Sequence, residues 1–163
     1  AAASFSGCAA TSSPHAYNYA RLTVNRAGNG DFRTVTPERM WGPMGGPYNR
    51  WNDALLNAEK LRGTQLYISS ATGLAGRADQ VSYLTGVGLP ELTAQLTAAQ
   101  LQVEGGIIEA AINQCTHDLR AKLNGLGIPA HYELRNVGTH SWPYWREDLG
   151  RAWQTTLAPA LGL

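Results

Sequence analysis

Pro129-Ala-His-Tyr-Glu-Leu-Arg135, followed by Asn136-Val-Gly-Thr-His-Ser-Trp142, is the stretch on which the fold turns. Pro129 to Arg135 reads as a strand, and Val137 to Ser141 as the loop leaving it. Pro143 suits the first turn of a closing helix from Trp142 to Leu161. Just upstream, Ile107 to Leu123 carries Ile108, Ala111, Ile112, Cys115, Leu119 and Leu123 at helical spacing. Asn124-Gly125-Leu126-Gly127 stops it. Further back, Thr64 to Ser69 is a second strand and Asn52 to Leu61 a second helix, with Ala54, Leu55, Ala58 and Leu61 on one face. Ala1 to Gly7 reads as a first strand ending at a glycine. Strands alternating with helices predict an α/β domain with a parallel sheet flanked by helices. In such sheets functional groups collect on the loops that leave the carboxyl ends of the strands.

Between these elements the signals are weaker. Ala9 to about Pro37 is polar and turn-rich, and reads as a long surface excursion. Thr36-Pro37-Glu38-Arg39 is a helix start that soon breaks at Gly42-Pro43-Met44-Gly45-Gly46-Pro47. Gly73 to Gly88 is loop-like. Pro90 to about Val103 has only Leu92, Leu96 and Leu101 on a weak helical stripe. A strand with no lead-in at residue 1 predicts a chain cut from a longer protein.

The 163 residues suffice for one domain, and 44% are hydrophobic, enough for a sizeable core. A net charge of +1 with scattered Lys and Arg argues against a dedicated nucleic-acid binder. No apolar run approaches the ~20 residues needed to span a bilayer, and no signal-peptide pattern is visible. Cys8 and Cys115 could close a long loop, a bridge worth about 2–4 kcal/mol in an oxidising compartment; two buried free thiols fit the composition equally. Neither has a second Cys or a His at metal-ligand spacing beyond His117 beside Cys115, so no zinc site is expected, and no cofactor is implied.

His140 is the leading candidate for chemistry. It follows the third strand, where a general base belongs in an open α/β sheet, and an imidazole can take and return a proton near neutral pH. A structural loop histidine would occupy the same place. Glu109, at the start of the helix after the second strand, is the matching acid, since a catalytic histidine needs a carboxylate on its other ring nitrogen. A helix-start glutamate favoured by the macrodipole is the plainer explanation. Glu104 is the rival acid. The order acid-then-histidine agrees with the α/β-hydrolase order Ser, Asp/Glu, His. No Gly-x-Ser-x-Gly elbow is present. Ser6-Gly7 comes closest, but position 4 is Ser rather than Gly, so Ser6 reads as strand-end structure.

Gly138-Thr139-His140-Ser141-Trp142-Pro143-Tyr144-Trp145 resembles the mycolyltransferases of the antigen 85 type, secreted enzymes of the α/β-hydrolase fold. Met40-Trp41-Gly42-Pro43, Pro47 and Asn52-Asp53 are similar to a second family segment, and Ala1 to Gly7 to the strand after the nucleophile-bearing helix. The resemblance implies that residues 1–163 are the C-terminal half of one α/β-hydrolase domain. It also implies a Ser-Glu-His triad with His140 as base and Glu109 as acid, and with the serine and oxyanion hole upstream of Ala1. Trp142 would lie beside a sugar site that Ser141 helps to shape. The implied substrates are trehalose mono- or dimycolate and a cell-wall glycan acceptor, and the implied location is the cell envelope, which favours a Cys8–Cys115 bridge. Residues 73–104 are longer than the family's equivalent and look more like its corynebacterial and rhodococcal branch. They are expected to form a lid-like insertion over the acyl chain. A simple carboxylesterase of the same fold, and a non-catalytic cell-wall or carbohydrate-binding homologue using Trp41, Trp51, Trp142 and Trp145, are the competing expectations.

Overall fold

The computed structural model describes residues 1–28, 31 and 33–163, with Arg26 described by its backbone alone. Asn29, Gly30 and Phe32, within the expected surface excursion, lie outside the described residues. Three strands, β1 (Ala2–Phe5), β2 (Leu66–Ala71) and β3 (His131–Arg135), form a parallel sheet in the order β1-β2-β3. Tyr67 pairs with Ala3 on one side and His131 on the other, and Ser69 with Phe5 and Glu133. The chain is thus a mixed α/β structure with its three-stranded parallel sheet flanked by helices, as the alternation of elements predicts.

The central strand is buried along its whole length, as a parallel strand covered on both faces must be. Leu66 and Ile68 face a cluster with Ala58, Leu119, Leu123 and Ile128. Leu119 and Leu123 come from α6 (Gly106–Gly125), whose buried stripe also carries Ile108, Glu109, Ile112, Cys115 and Thr116. The alternate residue Ser69 turns to the other face and hydrogen-bonds Asp148 of α7 (Trp142–Ala152) at 2.7 Å. The start of β2 packs near the end of α6, so the start of α6 reaches the carboxyl end of β2. That antiparallel run of helix and strand brings Glu109 to the sheet's functional edge.

Several elements differ from the sequence expectation. Pro14 to Ala27 is a 14-residue helix, α1, inside the stretch expected as surface excursion. Its start was hidden because Ser-Ser-Pro is equally a turn signal. Here Ser13 Oγ accepts from Ala16 N–H at 3.2 Å and Pro14 opens the helix. The expected helix from Asn52 to Leu61 is replaced by α3 (Pro47–Trp51), a turn, and a 3₁₀ turn at Ala58–Leu61. Asp53 is the reason: its Oδ1 accepts from Leu56 N–H, and its Oδ2 from the backbone and hydroxyl of Ser12. Such local bonding competes with a continuous helix. The short helix expected from Thr36 is α2 (Pro37–Trp41).

The segment 73–104 is not a plain loop. It holds a 3₁₀ turn at Arg77–Asp79, α4 (Val81–Gly86) and α5 (Glu91–Gln100). Leu84, Ala94 and Ala98 give it a small core of its own. A π-turn, Leu101–Gly105, then joins α5 to α6 with helical backbone angles throughout. Gly105 and Gly106 therefore do not open a new helix. The closing helix also passes through a π-turn, Trp153–Leu157, into the short α8 (Ala158–Ala160). No helix among the described residues is long and apolar enough to cross a membrane.

Candidate active site

Glu109 and His140 meet at the carboxyl edge of the sheet. Glu109 Oε2 lies 3.0 Å from His140 Nδ1, and the Glu109 side chain is wholly buried while the imidazole keeps 17% exposure. Glu109 Oε1 accepts two more bonds, from Ala71 N–H and Ser6 Oγ–H, each at 2.7 Å. A carboxylate only accepts, so Nδ1 is the donating nitrogen, and in the neutral ring Nε2 presents its lone pair. Among the described residues no serine, threonine or cysteine hydrogen-bonds the His140 ring.

Close backbone approach makes this geometry possible. A Cβ on Gly106 would stand 2.7 Å from the Gly73 carbonyl oxygen, and one on Gly73 only 2.3 Å from the Gly106 carbonyl. Gly73 also has φ +86, a conformation suited to glycine. A Cβ on Gly105 would press on Thr139 at 3.3 Å. The glycine pair thus lets the helix lie against the loops after β2 and β3. Glu109 then falls less than one turn further on, pointing at the end of β2. His140 N–H donates to Gly105 O at 3.1 Å, which ties the histidine's backbone to the same helix.

The macrodipole explanation for Glu109 does not fit this arrangement, because α5 and the π-turn run directly into α6 and leave no free helix start. Glu104, the rival acid, accepts from Gln100 Nε2 on its own helix, whereas Glu109 is the acid bonded to His140. Ser6 directly follows β1, with φ +51, and its hydroxyl donates to the Glu109 carboxylate. That is a supporting contact and not the arrangement of an activated nucleophile.

Ser141 is buried as the residue before α7, and its hydroxyl has no protein partner among the described residues. Trp142 beside it is 78% exposed. Trp145 meets the His140 ring edge-on at 4.7 Å and Trp142 at 5.2 Å. Cys8 and Cys115 are joined in a disulfide that pins the chain after β1 to α6. Beside that bridge lies an apolar groove of about 270 Å³ between α1, α2 and α6, lined by Met40, Trp41, Ile108 and Ile112 together with Ser6 and His140.

Sequence reasoning missed Asp79, Thr139 and Tyr144. Asp79 is fully buried, and its carboxylate accepts from Thr139 Oγ1 at 2.6 Å, Tyr144 Oη at 2.7 Å and Gly76 N–H at 2.8 Å. Burial, then the bond to Asp79, pushes the Tyr144 phenol well above its ordinary range. A lone aspartate in a glycine-rich segment gives no local sign of such a role.

No known family model matches the chain, and no curated protein matches it.

Proposed function

We propose that this chain supplies the acid and the base of a serine acyltransferase of the α/β-hydrolase kind, acting on acyl esters of a sugar, with the nucleophilic serine lying outside residues 1–163. The observation that carries this reading is the buried Glu109–His140 pair, 3.0 Å apart, at the carboxyl edge of a parallel sheet. Supporting it are the apolar groove that His140 helps to line, which suits an acyl chain, and the exposed Trp142, whose indole suits a sugar face. The disulfide fits a protein of the cell envelope or the extracellular space.

In the reaction, His140 Nε2 takes the serine proton as Oγ attacks the ester carbonyl. Glu109 holds the ring by Nδ1 and stabilises the imidazolium without itself taking the proton. Collapse of the tetrahedral intermediate forms the acyl-enzyme, and the leaving sugar hydroxyl takes the proton from Nε2. An acceptor hydroxyl next gives its proton to Nε2 and attacks the acyl carbonyl, which re-forms an ester and frees the serine. The specific reading is mycolyl transfer between trehalose mycolates and cell-wall glycan acceptors, within the C-terminal half of an α/β-hydrolase domain. Segment 73–104 would be a lid-like insertion; none of its residues lines the apolar groove.

The test is ester cleavage by the whole protein that contains this chain, with and without excess trehalose. Diversion of acyl groups from water to trehalose is expected. Hydrolysis unaffected by trehalose would replace the transferase by an esterase that uses the same pair. Absence of any acyl chemistry would remove both.

A further inference from the structure

Asp79 stands outside the acid–base pair, yet it bonds the residue next to the histidine. Its three donors are all neutral: a backbone amide, a threonine hydroxyl and a tyrosine hydroxyl. They come from its own turn and from the loop and helix start that carry His140. The backbone carbonyl of Asp79 also accepts from Gln102 Nε2 at 2.9 Å, on the π-turn that leads to Glu109. One buried residue therefore touches the segment bearing the base and the segment bearing the acid.

Packing leaves these contacts little slack. A Cβ on Gly76 would stand 2.4 Å from Tyr144 Oη, and one on Gly138 would meet the Tyr144 ring at 3.4 Å, so the tyrosine is held between two glycines. Thr139 is wholly buried, with its side chain on Asp79 and its Cβ against Gly105. His140, the next residue, has its backbone N–H on Gly105. With the Thr139 side chain and the His140 amide both fixed, the imidazole has a short and defined reach to Glu109.

We infer that Asp79 is a positioning residue, which holds His140 on Glu109 by way of Thr139 and Tyr144. The inference rests on His140 and Glu109 being the working pair, but it concerns their geometry and can be read without turnover. A buried donor left without its acceptor is costly. Removing the carboxylate frees Thr139 to seek another partner, and the loop before His140 moves with it.

The experiment is proton and ¹⁵N magnetic resonance of the imidazole in the whole protein that contains this chain, comparing wild type with Asp79→Ala, Thr139→Val, Thr139→Ser and Tyr144→Phe. Wild type should show a downfield Nδ1 proton and the Nδ1–H tautomer. In Asp79→Ala and Thr139→Val that proton signal should be lost to exchange, while circular dichroism and the disulfide stay native. Thr139→Ser, which keeps the hydroxyl, should retain it. An unchanged Nδ1 proton in folded Asp79→Ala or Thr139→Val would overturn the inference. If Asp79→Ala does not fold, the isosteric Thr139→Val decides. Unfolding of both would also count against it, because the network would then be general structure. A whole protein without acyl chemistry whose chain still shows this pattern would refute the proposed function and leave the positioning role standing.

Discussion

Glu109 receives its three hydrogen bonds from three separate parts of the chain: Ser6 after β1, Ala71 at the end of β2, and His140 after β3. The side chain is thus a junction as well as an acid. Glu109→Gln keeps the shape but offers one acceptor oxygen in place of two, so an amide N–H must confront one of the three donors. In the proposed reaction, acyl transfer by the whole protein should fall roughly 10²–10⁴-fold, the usual worth of positioned acid–base catalysis. Activity within a factor of two of wild type in a folded Glu109→Gln variant would remove the acid from the account. Tyr67 offers a test of a different kind. Burial, with Asp148 next, pushes its phenol up to about 12, and its hydroxyl has no protein partner among the described residues. An unfolded tyrosine ionises near pH ~10, so the folded state holds the proton longer. The contribution is intact below about pH 10 and is lost as the pH rises toward 12. Melting temperature should fall across that interval and fall less in Tyr67→Phe. At neutral pH the same variant should lie within about 1 kcal/mol of wild type, since no bond is broken.

At the scale of elements, the helix that carries Glu109 depends on how closely its backbone passes Gly73. Gly106→Ala would put a methyl 2.7 Å from a backbone oxygen that cannot turn aside. Overpacking of this sort costs about 1–3 kcal/mol, readable in urea unfolding, and should lengthen the Glu109–His140 bond. Gly125→Ala, at the far end of the same helix with nothing within 4 Å of the new methyl, is the control. It should be neutral or stabilising by up to ~1 kcal/mol. Equal destabilisation by the two would mean that close approach to Gly73 is not what matters. The same elements mark how far the sequence could be read. The stripe from Ile108 to Leu123 and the strand before Asn136 were legible, because apolar periodicity reports burial directly. Helix α1 was not, because its buried face is made of small or polar residues, Ala16, Tyr17 and Asn25, with little apolar contrast. His140 was a candidate from its place after β3, whereas Glu109 by position alone read more plainly as a helix-start glutamate and was matched to it by the resemblance at Gly138 to Trp145. Asp79 was not, because its partners lie 60 and 65 residues away and nothing local marks a buried carboxylate.

For the molecule as a whole, one covalent tie spans most of the chain. The Cys8–Cys115 disulfide closes 107 residues and holds the end of β1 against α6, beside the groove at His140. By chain entropy a loop of that length is worth about 4–5 kcal/mol. Thermal melts with and without reductant should therefore differ by many degrees, and Cys8→Ser should behave like the reduced protein. Identical melts would show that the bridge does not form in solution. The larger question is where the nucleophile sits. Ser6 donates to Glu109, and among the described residues no hydroxyl hydrogen-bonds the imidazole. The most direct measurement is labelling with a fluorophosphonate, which reacts with a serine only when a base has activated it, followed by mass spectrometry of the labelled peptide. In the whole protein a single labelled serine outside residues 1–163 is expected, with labelling abolished by His140→Ala. A label on a serine within residues 1–163, or one that survives His140→Ala, would contradict it.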